Sequence, residues 1–345
     1  MVRNPNNYTS SPAGRGLRAG LVLSAGSAAV LFALAVSIVY GTTHIGTGTV
    51  WQALVDFNPD STQHQVIREI RLPRALTAAL VGAFLALSGA IMQALTRNPL
   101  AEPSLLGISY GAALALVIAL SMFPGISSSG SVLVSMAGAG LTVLLVFSLA
   151  AVSKGGIAPV KLALAGVAIG MFLSSLTSVI AIHFDVSKEL SFWYAGSIAG
   201  AGWGGVKILL TAGIFGILIV ILLARSLTLL NLGAEVTKGL GINVRLVNGL
   251  GVLAVLMLTG SSVAIAGTVA FAGLVIPHIS RMLIGPDYRY ILPVSAVLGS
   301  LLLVLGDIGA RMINSPYETP IGVITAAVGV PFFLYLVRSG RGRFS

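Results

Sequence analysis

Polar residues in this chain are gathered into short clusters, and the stretches between them are almost wholly apolar. Ten apolar runs can be drawn, at 17–40, 74–95, 104–122, 130–152, 161–182, 204–225, 246–264, 267–284, 291–311 and 319–338. A helix needs roughly 20 apolar residues to cross a bilayer. Backbone facing lipid must bond within its own segment, so such runs read as helices. The pattern therefore predicts an all-α polytopic membrane protein with about ten transmembrane helices and both termini on one side. The segment 41–70 is too polar to span and reads as an external lead-in to the second helix. The segment 185–203, with Trp193 and Trp203, reads as a short interfacial helix, since Trp favours the headgroup boundary. The seventh and eighth runs are the hardest to separate, because Gly260 to Gly273 has no polar break.

Composition supports the same class. The chain is 56% hydrophobic and 9% charged, against about 25% charged residues in soluble domains. There is no cysteine, so neither disulfides nor thiolate metal sites arise. The first run is too long for the h-region of a cleaved signal, which is roughly 7–15 residues, and is taken as the first span.

The net charge of +10 has no basic cluster with interleaved aromatics behind it. In a membrane chain it instead orients the spans, because Lys and Arg gather in cytoplasmic loops. With the N-terminus inside, fourteen basic residues fall inside and six outside. The outer six are Arg68, Arg71, Arg74, Lys188, Lys207 and Arg311. The arginines leading into the second span, and Arg311 at the outer end of the ninth, are the notable exceptions. Such arginines can hold an external partner or anchor helix depth. Arg311 can also pair with Asp307, four residues earlier on the same helix face.

Chemistry is sparse. No G-x-x-x-x-G-K-[ST] loop and no H-E-x-x-H occur, so the chain has neither a phosphate-cradling loop nor a zincin motif. The four histidines are far apart, and His278 in the eighth run reads as either a packing or a path-lining residue. All ten acidic residues fall in loops or near span ends, whereas ion-coupled carriers keep carboxylates near the midplane. An ion-gradient-driven secondary transporter is therefore the weaker reading, and energy is expected from a partner. The segment 227–245, LTLLNLGAEVTKGLGINVR, is too polar to span and long for a bare loop. Two short cytoplasmic helices there would give that partner a docking place. An ungapped shift of 178 positions matches seven residues between 82–107 and 260–285. That match suggests an inverted repeat, which is common in transporters.

Four motifs in order carry a family resemblance: LPR with NPLAEPSLLG within Arg71 to Gly111, AGVAIG at Ala165 to Gly170, the loop Glu235 to Gly241, and GLVIPHISR followed by E-T-P-I-G near the C-terminus. Together they resemble the FecCD-type ABC permeases, which import iron–siderophores, haem and vitamin B12. The resemblance implies the type II ABC importer architecture, with residues 1–345 as one transmembrane permease domain and no enzyme activity of its own. It implies a partner permease of the same or a related chain, two ABC ATPase subunits that use ATP and Mg, and an external binding protein. A bacterial cytoplasmic membrane with both termini cytoplasmic is the expected location. A ferric siderophore is the expected cargo, with haem or cobalamin as alternatives. Carried over by position, Arg71, Arg74 and Arg311 would dock the binding protein. Asn98 and Leu100, with Pro159 and Val160, would form the cytoplasmic gate. Pro159 and Val160 depart from the small polar residues common there in vitamin B12 members. Glu235, Gly239, Leu240 and Gly241 would couple to the ATPase.

Overall fold

The computed structural model describes residues 12–41, 45–123, 125–152, 159–314 and 317–339. Helix α1 (Pro12–Val39) is followed by two short helices, α2 (Thr47–Val55) and α3 (Thr62–Gln65). A π-helical turn, Val66–Arg71, joins α3 to α4 (Leu72–Thr96). A 3-10 turn, Pro103–Leu106, leads into α5 (Ile108–Met122), then α6 (Ser128–Val152), α7 (Pro159–His183) and α8 (Ser187–Ala195). The chain continues through α9 (Trp203–Leu230), α10 (Ala234–Gly239), α11 (Val244–Ala266), α12 (Ala272–Ile284), α13 (Tyr288–Met312) and α14 (Ile321–Ser339).

Each of the ten apolar runs becomes a helix. Seven are long and apolar enough to cross a membrane, and α5, α12 and the apolar part of α14 are shorter. The predicted interfacial segment is α8 with the turn after it. The lead-in at 41–70 forms short helices and the π turn.

Three expectations change. The eighth helix starts at Ala272 rather than 267. Gly267 and Phe271 both take positive φ, at 67° each, and the irregular peptide between them is held by the end of α8. Thr268 N–H donates to Trp193 O at 3.3 Å, Ser197 N–H donates to Ala266 O at 2.9 Å, and Thr268 Oγ1 donates to Tyr194 O. Protein backbone supplies the partners that the freed peptide groups need, so no polar residue marks the break. Second, the ungapped repeat register is not kept, because residues 89–93 lie inside α4 while their counterparts 267–271 are this break. Third, only one short helix, α10, forms within 227–245, since α9 runs on to Leu230 and absorbs the first.

Helix α4 is the most buried of the long helices and packs on α13, α11, α12 and α9. Small residues allow that closeness. A Cβ on Gly82 would meet Gly299 O at 2.1 Å, and one on Gly299 would meet Gly82 O at 2.3 Å. Ser300 Oγ adds a bond to Ala79 O at 2.8 Å across the same seam.

The packing sorts the helix ends. The start of α4 meets the ends of α1 and α13 through Arg71, Arg74 and Arg311. Trp203, at the start of α9, donates to Arg68 O at 3.0 Å at that same end. At the opposite end Thr228 of α9 meets Asp287, which caps α13. The alternation agrees with the span order inferred from the sequence.

Candidate functional site

At the first end, three arginines converge. Arg74 donates to Asp307 Oδ1 at 3.0 Å through Nε and to Glu318 Oε1 at 2.6 Å through Nη1. Arg311 pairs with Asp307 Oδ2 at 3.0 Å. Its guanidinium also reaches Ser37 O and Tyr40 O, each at 3.1 Å, and Ser37 Oγ at 2.6 Å. Arg71 donates to Ile38 O at 2.9 Å and Val39 O at 2.7 Å. Two arginines thus occupy the carbonyls that the last turn of α1 leaves open, where cations are favoured.

The cluster holds three positive and two negative side chains, so its formal sum is +1, offset in part by the carbonyl end of α1, worth roughly half a negative charge. All three arginines are at most 7% exposed, and Asp307 is fully buried. The sequence leaves these arginines either to an external partner or to anchoring helix depth, and offers Asp307 as a mate for Arg311, a pair that the structure forms. The structure places all three at one end, turned inward and hydrogen-bonded. Among the described residues the exposed cations at this end are Arg68, Lys188 and Lys207. Arg68 lies over the Phe57 ring, 4.6 Å from its centroid.

At the other end, α10 stands on a short loop. Thr237 is buried, and its Oγ1 lies 2.9 Å from Leu229 O and 2.7 Å from Gly233 O. This ties α10 to the end of α9. The helix ends in a Schellman turn: Ile242 N–H donates to Thr237 O at 3.2 Å and Gly241 N–H to Lys238 O at 2.9 Å. Gly241 takes φ 79°, which favours glycine. Gly239, by contrast, is the last residue of the helix and has open space around it. Glu235 is exposed. So are Leu232, Val236 and Leu240, at 67%, 50% and 60%. These three recur every fourth residue in an otherwise polar loop, a signal legible in the sequence but passed over for Leu232 and Val236.

The residues expected at a gate lie on two elements. Asn98 is exposed, and its Oδ1 accepts Leu100 N–H at 2.9 Å. This Asx-type turn follows Arg97, which closes α4 in the left-handed region. Leu100 is 43% exposed. Pro159 and Val160 open α7. The two elements meet further along, where a Cβ on Gly166 of α7 would lie 1.9 Å from Leu105 O in the 3-10 turn. His278 packs edge-on against Phe332 of α14, with centroids 6.3 Å apart, which favours its packing role. Among the described residues no cluster of three His, Cys, Asp or Glu side chains could hold a metal.

The FecCD transport family matches residues 29–339. This chain belongs to that family. It is 52% identical over 321 residues to the iron(3+)-hydroxamate import system permease protein FhuB of Bacillus subtilis (strain 168), covering 93% of this chain and 84% of that protein. It is 42% identical to the iron-uptake system permease protein FeuB of the same organism, over 93% of this chain and 96% of FeuB. The ferric enterobactin transport system permease protein FepD of Escherichia coli (strain K12) is 37% identical, over 90% of this chain and 92% of FepD. Among solved structures, a metal-chelate type ABC transporter in an inward-facing conformation superposes with TM-score 0.81 at 30% identity, covering 93% of this chain and 99% of that one. The chain is thus a multi-pass, all-helical membrane protein with the fold of an ABC permease.

Proposed function

We propose that this chain is the transmembrane permease subunit of an ATP-driven importer and that its cargo is a ferric hydroxamate siderophore. The observation that carries the cargo class is the 52% identity, over nearly the whole chain, to a permease for iron(3+)-hydroxamate. Haem and cobalamin have no comparable support.

The arginine-cluster end faces outward and the α10 end faces the cytoplasm, as do both termini. The fourteen-to-six distribution of basic residues supports this orientation. Two ABC ATPase subunits hydrolyse ATP with Mg, and one seats on Leu232, Glu235, Val236 and Leu240 of each permease. A thrust on α10 passes through Thr237 to α9 and through the turn at Gly241 to α11. A second permease, the same or a related chain, completes the path. The link carrying Asn98 and Leu100, with the start of α7 at Pro159 and Val160, acts as the cytoplasmic gate. A binding protein docks outside on Arg68, Lys188 and Lys207, while Arg71, Arg74 and Arg311 hold the platform beneath and add positive potential.

Reconstitution tests this reading. Proteoliposomes holding the permease and its ATPase, with the binding protein added, should take up a radio-iron ferric trihydroxamate only when ATP is present. Uptake should survive an uncoupler and resist competition by haem or cobalamin. Uptake by the chain alone, abolished by an uncoupler, would make it a secondary carrier.

A further inference from the structure

Pro277 lies inside α12, and a proline has no N–H to give the carbonyl four residues back. The carbonyl left open is that of Gly273, in the first turn of the helix. A side chain from another helix takes it. Gln93 of α4 is 2% exposed, and its Nε2 donates to Gly273 O and to Leu274 O, at 3.3 Å each. The Oε1 of Gln93 has no hydrogen-bond partner, so the residue is placed for its N–H groups alone.

This approach depends on small residues. A Cβ on Gly89 would overlap Gly273 O, and one on Gly273 would meet Leu85 O at 2.9 Å and Pro103 Cδ at 3.4 Å. The first turn of α12 is therefore seated on α4 and on the link that runs from Asn98 to the 3-10 turn. Beyond Pro277 the helix has a different partner. Ser295 Oγ of α13 donates to Ser280 Oγ at 2.9 Å, and both serines are fully buried. A cavity of about 100 Å³ borders Val275, Ile276 and Ile279 on the side of α14.

The two halves of α12 are thus fastened to two different helices. The missing ladder bond lies between them, and free volume lies alongside. Proline is an ordinary place for a helix to bend. Here the replacement bond comes from a side chain of α4, so it can follow α4. A bond within the ladder of α12 would instead tie its two halves together.

We propose that Gln93 is a positioning residue for transport and that Pro277 is the hinge it serves. The first turn of α12, with the 267–271 break before it, moves with α4 and the gate link, while the rest of α12 stays with α13. The proposal rests on the permease reading. The alternative is that Gln93 only adds a stabilising contact.

Three variants of the full-length chain separate the two. Gln93→Met keeps the size and removes the N–H groups. Pro277→Ala returns a backbone N–H that can reach Gly273 O within α12. The third variant carries both changes. Tm and amide hydrogen exchange are measured in detergent. ATP-driven uptake of a radio-iron ferric trihydroxamate is measured in proteoliposomes with the ATPase and the binding protein. In Gln93→Met, exchange at 272–276 should be about fivefold faster, exchange at 278–284 unchanged, and Tm about 2–4 °C lower. Adding Pro277→Ala should restore both exchange and Tm. Uptake should behave differently. Pro277→Ala, alone or with Gln93→Met, should lower it severalfold without lowering Tm, because the hinge is stiffened. Uptake that follows Tm across the three variants would overturn the hinge. So would exchange in Gln93→Met that rises evenly along α12 or does not rise. Should Gln93→Met fail to fold, recovery of folding by Pro277→Ala supports the pairing, and no recovery overturns it. Absence of uptake by the wild-type system would count against the permease reading, whereas the exchange pattern would still decide the role of Gln93.

Discussion

At one end of the bundle Arg74, Asp307 and Arg311 are each less than a tenth exposed. At the other end Leu232, Val236 and Leu240 are each at least half exposed. Charges are inside where arginines suggested a surface, and apolar side chains are outside on a polar loop. A buried charge persists when its pairing is complete, and the arginine cluster answers each charge with a carboxylate or a helix-end carbonyl. An exposed apolar stripe on a short, well-anchored helix is not explained by the folding of this chain and fits a partner surface. The first region holds this chain together, while the second leaves its apolar side chains exposed to solvent.

The sharpest way to break that comparison is Arg74→Ala. It removes the bridge between Asp307 and Glu318 and leaves the buried Asp307 with Arg311 alone. Breaking a buried pair costs about 3–5 kcal/mol, so Tm in detergent should fall by many degrees with or without the binding protein. Arg74→Ala with an unchanged Tm but weakened, salt-dependent docking would return Arg74 to the surface role.

The reciprocal test replaces Leu232, Val236 and Leu240 with Ser. The Tm of the isolated chain should move little, because these side chains contact solvent. Affinity for the ATPase, measured by titration in nanodiscs, should drop more than tenfold, which corresponds to about 1.4 kcal/mol. Loss of stability without loss of affinity would mean that the stripe serves the fold.

Glycines refine the second region. Gly241→Val forces a β-branched residue into the left-handed region, at about 1–2 kcal/mol, and should weaken coupling of ATP hydrolysis to uptake. Gly239→Ala, at the last helical position with free space around it, should leave coupling intact. Equal effects from both would show that the turn geometry is unimportant.

The smallest expected effect is a pH dependence at the α13 cap. Hydrogen bonding from Arg289, ahead of the cost of burial, holds the Asp287 carboxyl below the usual carboxylate range. Its folded pKa is depressed, so its contribution is present above the unfolded pKa, about 3.9, and is lost as pH falls through the folded value. Asp287→Asn should flatten the acid limb of the Tm–pH curve slightly and leave neutral pH nearly unchanged. An unaltered acid limb would remove Asp287 from the list of acid-sensitive contacts.

Much of this was legible in the chain itself. Apolar runs bounded by polar clusters must become helices in lipid, and every run drawn from the sequence did so. The place of Asn98-Pro99 as the end of α4 was legible because proline cannot continue a helix. The short helix and glycine turn within 227–245 were legible because a polar, glycine-broken stretch between spans cannot itself cross the membrane. Other features had no local signal. The break at 267–271 consists of small and apolar residues, and its backbone partners come from residues 193–197. Asp307 reads as a residue near a span end, yet Arg74, from 233 positions away in sequence, pairs with it.

The sequence by itself determined that this is a multi-pass helical membrane protein, how its helices follow one another, and the family to which it belongs. Those features follow from the length and periodicity of apolar runs and from short ordered motifs, which are properties of neighbouring residues. Only the tertiary structure decided that the arginines face inward and that Glu318 joins them. The physical reason is that the cost of a buried charge depends on what surrounds it in space, and those surroundings come from helices far apart in the chain.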